Sequence, residues 1–166
     1  MFGRIDPKEL NQNVFSMIGE QWMLVTAGTA ERCNTMTASW GGLGVLWGKN
    51  VAYSVIRPQR YTFELLEEND AYTLSFYPPE CKKALALCGK VSGRDVDKFT
   101  DSGLTPCFDQ AAPYYEQARL VFLCRKLYRQ DMEESAFLDK GLLEKWYDND
   151  LHRMFVGEIV KVLEKE

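Results

Sequence analysis

Alternation of apolar and polar positions with a period of two recurs along most of the chain. Residues 35–40 alternate hydroxyl side chains with apolar or small ones, and Leu120, Phe122 and Cys124 share one face of a longer run. Because strand side chains point alternately to opposite faces, this period predicts β-strands. Turn residues bound six such predicted strands, at 21–29, 35–40, 51–56, 71–77, 118–129 and 154–163.

Helical patterns are confined to short segments between these strands. The stretch Asp6-Pro7-Lys8-Glu9 offers a capping residue, a proline at the first helical position and a glutamate for a capping box. It predicts a helix from there to Ile18, which Gly19 ends. Further helical segments are predicted at 61–68, 78–87 and 95–102, with a broken helix at 137–146.

Glycines interrupt the apolar stretch after residue 40. Gly41, Gly42, Gly44 and Gly48 predict bends or close backbone approaches there. No third glycine follows Gly42-Leu43-Gly44 at the spacing of a dinucleotide-binding fingerprint, and no β-α-β rhythm is present. The elements predict one mainly β domain over residues 1–166, an antiparallel six-stranded barrel with peripheral short helices.

The amino-acid composition excludes several classes of function. The chain of 166 residues has a net charge of −4, one histidine and five cysteines, none of them in a C-x-x-C motif. A single histidine excludes multi-histidine metal sites, and the acidic balance argues against broad nucleic-acid binding. No apolar run reaches transmembrane length, and the polar first 13 residues lack a signal-peptide pattern. We therefore expect reduced thiols in a cytoplasmic protein with no metal and no membrane partner.

The segment 57–62 is the first candidate binding site. Arg57, Arg60 and Thr62 stand at the predicted start of a helix, beside Gln59 and Tyr61. Guanidinium groups and free helix N–H groups together suit a phosphate. The alternative is a solvated loop whose arginines pair with Glu64, Glu67 or Glu68.

Two further segments are candidates. Residues 34–40, from Asn34 to Trp40, form a strand that could lie along a flat ligand; the alternative is an ordinary half-buried strand. In the segment 92–99, Ser92 and Lys98 could reach a phosphate or a ring carbonyl; the alternative is a surface turn in which Asp95 caps a helix.

Three other side chains have open roles. His152 is a candidate proton donor near a ligand, or else a structural histidine. Cys88 follows apolar residues, which favours a buried, inert thiol. Trp146 fits a core or an interface better than a base-stacking platform.

Taken in order, these motifs carry a family resemblance. The sequences Asn-Thr-Met-Thr-Ala-Ser-Trp at 34–40, Ser-Val-Ile-Arg-Pro-Gln-Arg-Tyr-Thr at 54–62 and Cys-Gly-Lys-Val-Ser-Gly-Arg-Asp-Val-Asp-Lys-Phe at 88–99 resemble flavin reductase-like proteins, above all the flavoredoxin branch. The closing His152-x-x-Phe155-x-Gly157-Glu158-Ile159 is similar to the last strand of that family. The resemblance extends over nearly the whole chain.

The resemblance implies an FMN-binding split barrel that forms a homodimer. It implies that residues 35–40 line the isoalloxazine ring, that Arg57, Arg60 and Thr62 surround the phosphate or ribityl chain, and that Lys98 lies on the flavin. The implied cofactor-binding residues are Asn34, Thr35, Met36, Thr37, Ala38, Ser39, Trp40, Ser54, Arg57, Gln59, Arg60, Tyr61, Thr62, Ser92 and Lys98.

The implied activity is electron transfer through bound FMN, from NAD(P)H or from a protein donor. No catalytic acid or base is assigned, because the cofactor carries the redox chemistry. One alternative is a non-catalytic FMN carrier or electron-transfer flavoprotein. Another is a small barrel that binds haem or pyridoxal phosphate. The single histidine and the lack of a dedicated lysine motif argue against these two ligands.

Overall fold

A computed structural model describes residues 1–165 and is dominated by one antiparallel sheet of eight strands. Seven of them follow the order β3-β2-β6-β9-β10-β5-β4, and β1 pairs with β10. A separate two-stranded ladder joins β7 to β8. The strands are β1 (Phe2–Ile5), β2 (Met23–Gly28), β3 (Cys33–Ala38), β4 (Gly41–Leu46), β5 (Lys49–Ile56), β6 (Ala71–Phe76), β7 (Pro106–Cys107), β8 (Tyr114–Tyr115), β9 (Leu120–Asp131) and β10 (Arg153–Lys165).

The sheet curls back on itself. Its two end strands, β3 and β4, are consecutive in the chain, and only Ser39 and Trp40 connect them. Two residues span less than about 10 Å, so the opposite ends of the sheet must lie close together. This seam places Trp40 at the mouth of the barrel, where a flat ligand has access.

Short helices surround the sheet. They are α1 (Val14–Ser16), which continues as a π-helical turn (Met17–Gln21), α2 (Tyr61–Glu68), α3 (Lys82–Lys90), α4 (Lys98–Ser102) and α5 (Gly141–Trp146). Single 3-10 turns lie at Pro7–Glu9, Pro79–Cys81 and Glu134–Ala136. No helix among residues 1–165 has both the length and the apolar character needed to cross a membrane.

The predicted mainly β, antiparallel class is confirmed, but six strands is too few. The glycine-rich stretch forms β4, paired with β5, instead of the predicted bends. Trp47 (φ 53°) and Gly48 (φ 69°) make a two-residue hairpin turn with positive φ at both positions. At Gly42 the Tyr53 ring packs on the strand backbone, in the space that a Cβ would take. Strand β1 was also missed, because four residues carry little periodic signal.

The predicted helix over 7–18 is wrong. Asp6 and Glu9 do form the expected capping box, but it closes only a 3-10 turn. Asn13 then caps a new start, accepting hydrogen bonds from the N–H groups of Phe15 and Ser16. Two competing caps seven residues apart therefore divide the segment.

Two apolar clusters hold the fold and support the site. One fills the barrel, where the Phe76 and Phe122 rings meet edge to face at 5.6 Å. The other lies beneath α3 and includes Leu24, Leu85 and Tyr115. Because α3 packs on β3, its C-terminal end is fixed next to the strand that carries the candidate site.

Candidate functional site

Strand β3 and its continuation to Trp40 border two adjoining cavities. The first, here called the tryptophan cavity, is about 250 Å³ and is lined by residues 36–40 with Trp146 and His152. The second, here called the basic cradle, is about 120 Å³ and lies at the start of α2 and the end of α3. Arg60 lines both. The two cavities therefore meet at the Arg60 side chain, and together they are here called the depression.

Nearly all of the sequence-predicted site residues lie on this depression. Met36, Thr37, Ala38, Ser39, Trp40, Arg57 and Arg60 line the tryptophan cavity, and Asn34, Gln59, Arg60, Tyr61, Thr62, Ser92 and Lys98 line the basic cradle. Thr35 and Ser54 line neither. The Thr35 side chain is buried against Thr26, and the Ser54 hydroxyl is buried without a hydrogen-bond partner among the described residues.

The basic cradle is built around the N-terminus of α2. Arg60 is the capping residue, with extended backbone angles (φ −73°, ψ 134°), and its side chain makes no capping hydrogen bond. The Phe63 N–H donates to the Arg60 carbonyl at 2.9 Å, which leaves the N–H groups of Tyr61 and Thr62 available at the positive end of the helix dipole. That end points to an anion as ligand.

Two cations, the half-buried Arg60 and the buried Lys98, lie at this helix start without an acidic partner among residues 1–165. Arg60 Nη2 donates to the Gly89 carbonyl at 3.0 Å. Lys98 is only 2% exposed, and its Nζ donates to the Thr35 and Cys88 carbonyls at 2.8 Å each. Neither forms an ion pair within residues 1–165. Two positive charges held in this way favour a bound anion.

Burial and a neighbouring positive charge lower the pKa of both groups. Desolvation, followed by the charge of Arg60, lowers the pKa of Lys98 to about 8. Desolvation and the charge of Arg57 likewise lower the pKa of Arg60. A dianion placed between Arg60 and Lys98 would reverse both effects, because it offsets the repulsion and restores a counter-charge.

Polar groups complete the cradle around these charges. Asn34 is 3% exposed, and its Nδ2 donates to Thr62 Oγ1 at 2.8 Å. The loop after α3 passes directly over Asn34, since a Cβ on Gly93 would overlap Asn34 Oδ1. In that loop, Ser92 Oγ accepts a hydrogen bond from the Arg94 N–H at 3.2 Å. The donor set of two cations, hydroxyls and helix N–H groups fits a phosphomonoester.

Arg57 and Gln59 have other partners. Arg57 Nη1 contacts Asp150 Oδ2, its Nη2 donates to the Trp146 carbonyl at 2.8 Å, and Gln59 Nε2 donates to Asp150 Oδ2 at 3.0 Å. Residues 146–150, here called the strap, are thus fastened beside the tryptophan cavity. The glutamates suggested as alternative partners are occupied by other arginines: Arg32, Arg94, Arg129 and Arg153.

Aromatic side chains form the wall of the tryptophan cavity. The Trp40 ring meets Trp146 edge to face at 5.1 Å and lies 5.0 Å from the His152 ring. Tyr147 lies behind His152, and the Arg57 guanidinium is 5.4 Å from the Tyr147 ring centroid. Such a wall suits a flat, partly apolar ring. Trp146, Tyr147 and Asp150 were missed as site residues, because the strap carries no periodic signal.

His152 is neutral in this setting. Burial, followed by the positive charge of Arg57, lowers its pKa to about 4, although Asp150 opposes the shift. Its Nδ1 lies 3.0 Å from the Tyr147 hydroxyl. The other predicted reactive group, Cys88, is fully buried, and its pKa is raised mainly by desolvation. It therefore packs as an inert thiol.

A third, larger cavity of about 650 Å³ adjoins the cradle. It shares Asn34, Tyr61 and Lys98 with the cradle, and Arg32 and Arg94 lie over the Tyr61 ring at 5.6 and 5.1 Å. Both arginines are paired with glutamates. Residues 93–99 of the third candidate segment line this cavity as well.

Comparison of the chain with known proteins identifies its family. The model of the flavin reductase-like domain matches residues 15–166, so the chain belongs to that family and the resemblance seen in its sequence is confirmed. A comparison with curated proteins found no match.

Solved structures share the fold at low sequence identity. A flavoredoxin from Methanosarcina acetivorans is 24% identical with a TM-score of 0.68, over 98% of this chain and 77% of that one. An FMN-binding protein from Thermus thermophilus, solved with p-hydroxybenzaldehyde, is 23% identical (TM-score 0.69; 99% and 82% covered). The styrene monooxygenase flavin reductase of Pseudomonas putida S12 is 14% identical (TM-score 0.65; 88% and 80% covered). These likenesses support the split-barrel fold predicted from the motifs.

Proposed function

We propose that the protein is an FMN-binding oxidoreductase that accepts electrons from a pyridine nucleotide or a protein donor and passes them on. The observation that carries the proposal is a pair of cations, the half-buried Arg60 and the buried Lys98, which lack an acidic partner among the described residues and lie at the start of a helix. FMN ends in a phosphomonoester of roughly two negative charges at neutral pH. The family membership supports the same cofactor.

The division of the depression matches the two ends of FMN. The basic cradle would hold the phosphate through Arg60, Lys98 and Thr62, and the tryptophan cavity would receive the ring against residues 36–40. When bound, FMN supplies the redox chemistry, and this chain supplies binding, orientation and electrostatics. Lys98 and Arg60 would fix the anionic end, and Trp40 and Trp146 would border one side of the ring site.

A spectrum and a titration test the proposal. We expect purified protein, or apoprotein mixed with FMN, to show a flavin band and to quench FMN fluorescence on binding. Arg125→Ala is the matched control for arginine variants of the cradle, because Arg125 lines none of the three cavities and is paired with Glu158. Protein that neither carries a flavin nor binds added FMN would refute the proposal.

The electron donor requires a separate experiment. We expect rapid loss of the oxidised flavin absorbance on mixing the FMN-loaded protein anaerobically with NADH or NADPH. The non-catalytic alternative, an FMN carrier, predicts that both nucleotides leave the absorbance unchanged.

We also propose a homodimer. The β4–β5 hairpin carries Val45, 75% exposed, and Trp47, 58% exposed, and β4 is the free edge of the sheet. Leu46, Tyr53 and Tyr128 extend this exposed apolar patch. A self-associating surface explains such a patch. Light scattering after size-exclusion chromatography should give twice the chain mass of 19.1 kDa, and Trp47→Lys should give the single-chain mass.

The thiols favour a reducing compartment, as expected for a cytoplasmic protein. All five cysteines are free. Unfolding freshly prepared protein without reductant should therefore expose five titratable thiols, whereas a lower count would point to a disulfide and an oxidising location.

A further inference from the structure

The loop between β9 and β10, residues 132–150, holds all of the chain's excess negative charge. This segment, here called the acidic loop, contains six acidic and two basic residues and therefore has a net charge of −4. Because the whole chain has 24 acidic and 20 basic residues, the other 147 residues contain 18 of each sign and are neutral on balance. The negative charge is thus concentrated on one loop, which includes α5 and the strap.

Most of this charge is exposed and is not offset inside the protein. Both lysines of the loop turn onto the loop itself: Lys140 Nζ donates to the Glu134 carbonyl at 3.0 Å, and Lys145 Nζ lies 5.0 Å from the Trp146 ring centroid. Five carboxylate side chains of the loop are exposed and form no ion pair with any residue in the range 1–165. They are Glu133, Glu134, Asp139, Glu144 and Asp148. The loop therefore presents a negative field to the solvent.

Apolar side chains lie among these carboxylates. Leu138 is 99% exposed, and Leu142 and Trp146 are each 43% exposed. Leu142 and Trp146 are four residues apart and so share one face of α5, a helix without any buried residue. A groove of about 320 Å³ opens at the start of the loop, with Met132 and Phe137 in its wall. Exposed apolar groups within a polar rim are typical of a protein-binding surface.

The acidic loop also reaches the part of the depression where the flavin ring is proposed to lie. Trp146 lines the tryptophan cavity, and its ring centroid is 5.1 Å from that of Trp40. Arg57 holds the loop there through the Trp146 carbonyl at 2.8 Å and through Asp150. A protein bound to α5 would therefore stand beside the tryptophan cavity. Since electron transfer slows steeply with distance, this is a favourable place for a redox partner.

We propose that the acidic loop is the docking surface for a one-electron carrier protein whose binding face has lysines or arginines around an apolar centre. The inference rests on the proposed function for the electrons that are exchanged. One two-electron-reduced FMN would be oxidised by two carriers, each of which gains one electron, and the flavin's protons would pass to solvent. A second copy of this chain is disfavoured as the occupant, because a two-fold dimer through the loop would bring two charges of −4 together.

A rate measurement with a basic carrier tests the docking surface. Cytochrome c, a lysine-rich one-electron acceptor, is mixed anaerobically with reduced, FMN-loaded protein, and two haems should be reduced per flavin. We expect the rate to fall about tenfold between about 20 mM and 300 mM salt, because salt screens the attraction between opposite charges. Ferricyanide, a small anionic acceptor, should react no more slowly at high salt. A cytochrome c rate independent of salt would overturn the proposal.

Two pairs of substitutions separate the loop from the overall charge. Glu133→Gln with Glu144→Gln should lower the cytochrome c rate about threefold to tenfold at low salt and leave the ferricyanide rate equal or higher. Glu80→Gln with Glu116→Gln removes the same charge from exposed glutamates outside the loop, and its rate should stay within about twofold of wild type. Equal slowing by both pairs would show that only net charge acts, and would refute docking at the loop.

A third variant tests the apolar part of the surface. Leu138→Ser removes no core packing, since Leu138 is 99% exposed. We expect it to slow cytochrome c reduction about threefold even at high salt, where an apolar contact persists. An unchanged rate would contradict the apolar centre. If Leu138→Ser instead converts a dimer to single chains in light scattering, a second copy covers the loop and the proposal fails.

NMR distinguishes failure of this proposal from failure of the proposed function. Ferrous cytochrome c is added at low salt to ¹⁵N-labelled protein, with and without FMN. Amide shifts should cluster on residues 132–150. If FMN does not bind but the shifts still cluster there, the proposed function fails and the docking surface stands. If FMN binds and the shifts are absent or scattered over the surface, the docking proposal alone is wrong.

Discussion

The basic cradle and the strap each use an arginine from the same short segment, yet the two arginines have opposite surroundings. Arg57 meets Asp150 and the Trp146 carbonyl, so its charge has a counter-charge within the protein. Arg60 meets only the Gly89 carbonyl and has the charge of Lys98 nearby. A buried cation without a counter-charge raises the energy of the apoprotein and is stabilised by an anionic ligand. Within the segment 57–62, Arg60 therefore belongs to the ligand-binding half and Arg57 to the half that holds the strap in place.

The strongest test of this division is Arg60→Ala. We expect FMN affinity to fall by about 1.5–3 kcal/mol, or roughly tenfold to 150-fold, because a charge-assisted hydrogen bond and a counter-charge are both lost. Fluorescence titration of the apoprotein measures this directly. Thermal unfolding without FMN should change little or rise slightly, since the substitution also removes repulsion from Lys98. An unchanged affinity would show that the phosphate lies elsewhere.

This division could not be made from the sequence. Both arginines fit the same phosphate motif, and Asp150, which engages Arg57, lies 93 residues further along the chain. Local patterns did locate β3, α2 and the loop before α4, because periodicity and capping act over a few residues. They also placed Thr35 among the ligand contacts, although its side chain turns to Thr26. Side-chain partners set by tertiary folding are not encoded in spacing alone.

The lysine of the cradle predicts a pH dependence. Its pKa is about 8 in the folded apoprotein, below the ordinary 10.5. Below pH 8 the lysine is charged in both folded and unfolded chains, so the cost of burying its charge is fully present. Between pH 8 and 10.5 the folded chain loses this proton while the unfolded chain keeps it, so Lys98 destabilises the apoprotein less as pH rises.

The affinity for FMN should decrease as pH rises, whereas the stability of the apoprotein increases. The phosphate favours charged Lys98, so FMN affinity should fall by about tenfold between pH 7.5 and 9.5, with proton uptake on binding at the upper end. Calorimetry in two buffers of different ionisation enthalpy measures that uptake. Lys98→Met is the control, and its affinity should be lower but nearly independent of pH over this range. A wild-type affinity without pH dependence would remove Lys98 from the phosphate site.

A steric change in the cradle should weaken FMN binding less than the loss of a charge. In Gly93→Ala the new Cβ would overlap Asn34 Oδ1, so Asn34 must turn away and lose its bond to Thr62. We expect about fivefold weaker FMN binding and a loss of about 1–3 kcal/mol in unfolding free energy. Gly19→Ala is the matched control, because a Cβ at that position meets nothing within 4 Å. Similar affinities for the two variants would show that Asn34 does not shape the cradle.

The smallest change in FMN affinity is expected for Arg57→Ala, and this is the variant that separates the two halves of the segment. Since Arg57 is engaged by Asp150, we expect FMN affinity to change by less than about threefold. The strap should loosen instead, because the Trp146 carbonyl loses its donor and Asp150 loses its ion pair and keeps only Gln59 and the Asp148 N–H. Iodide should then quench tryptophan fluorescence more strongly. Removal of Arg57 should also raise the pKa of His152, although burial keeps it below the ordinary 6.5. If Arg57→Ala and Arg60→Ala weaken FMN equally, the two arginines act on one phosphate and the division proposed here is wrong.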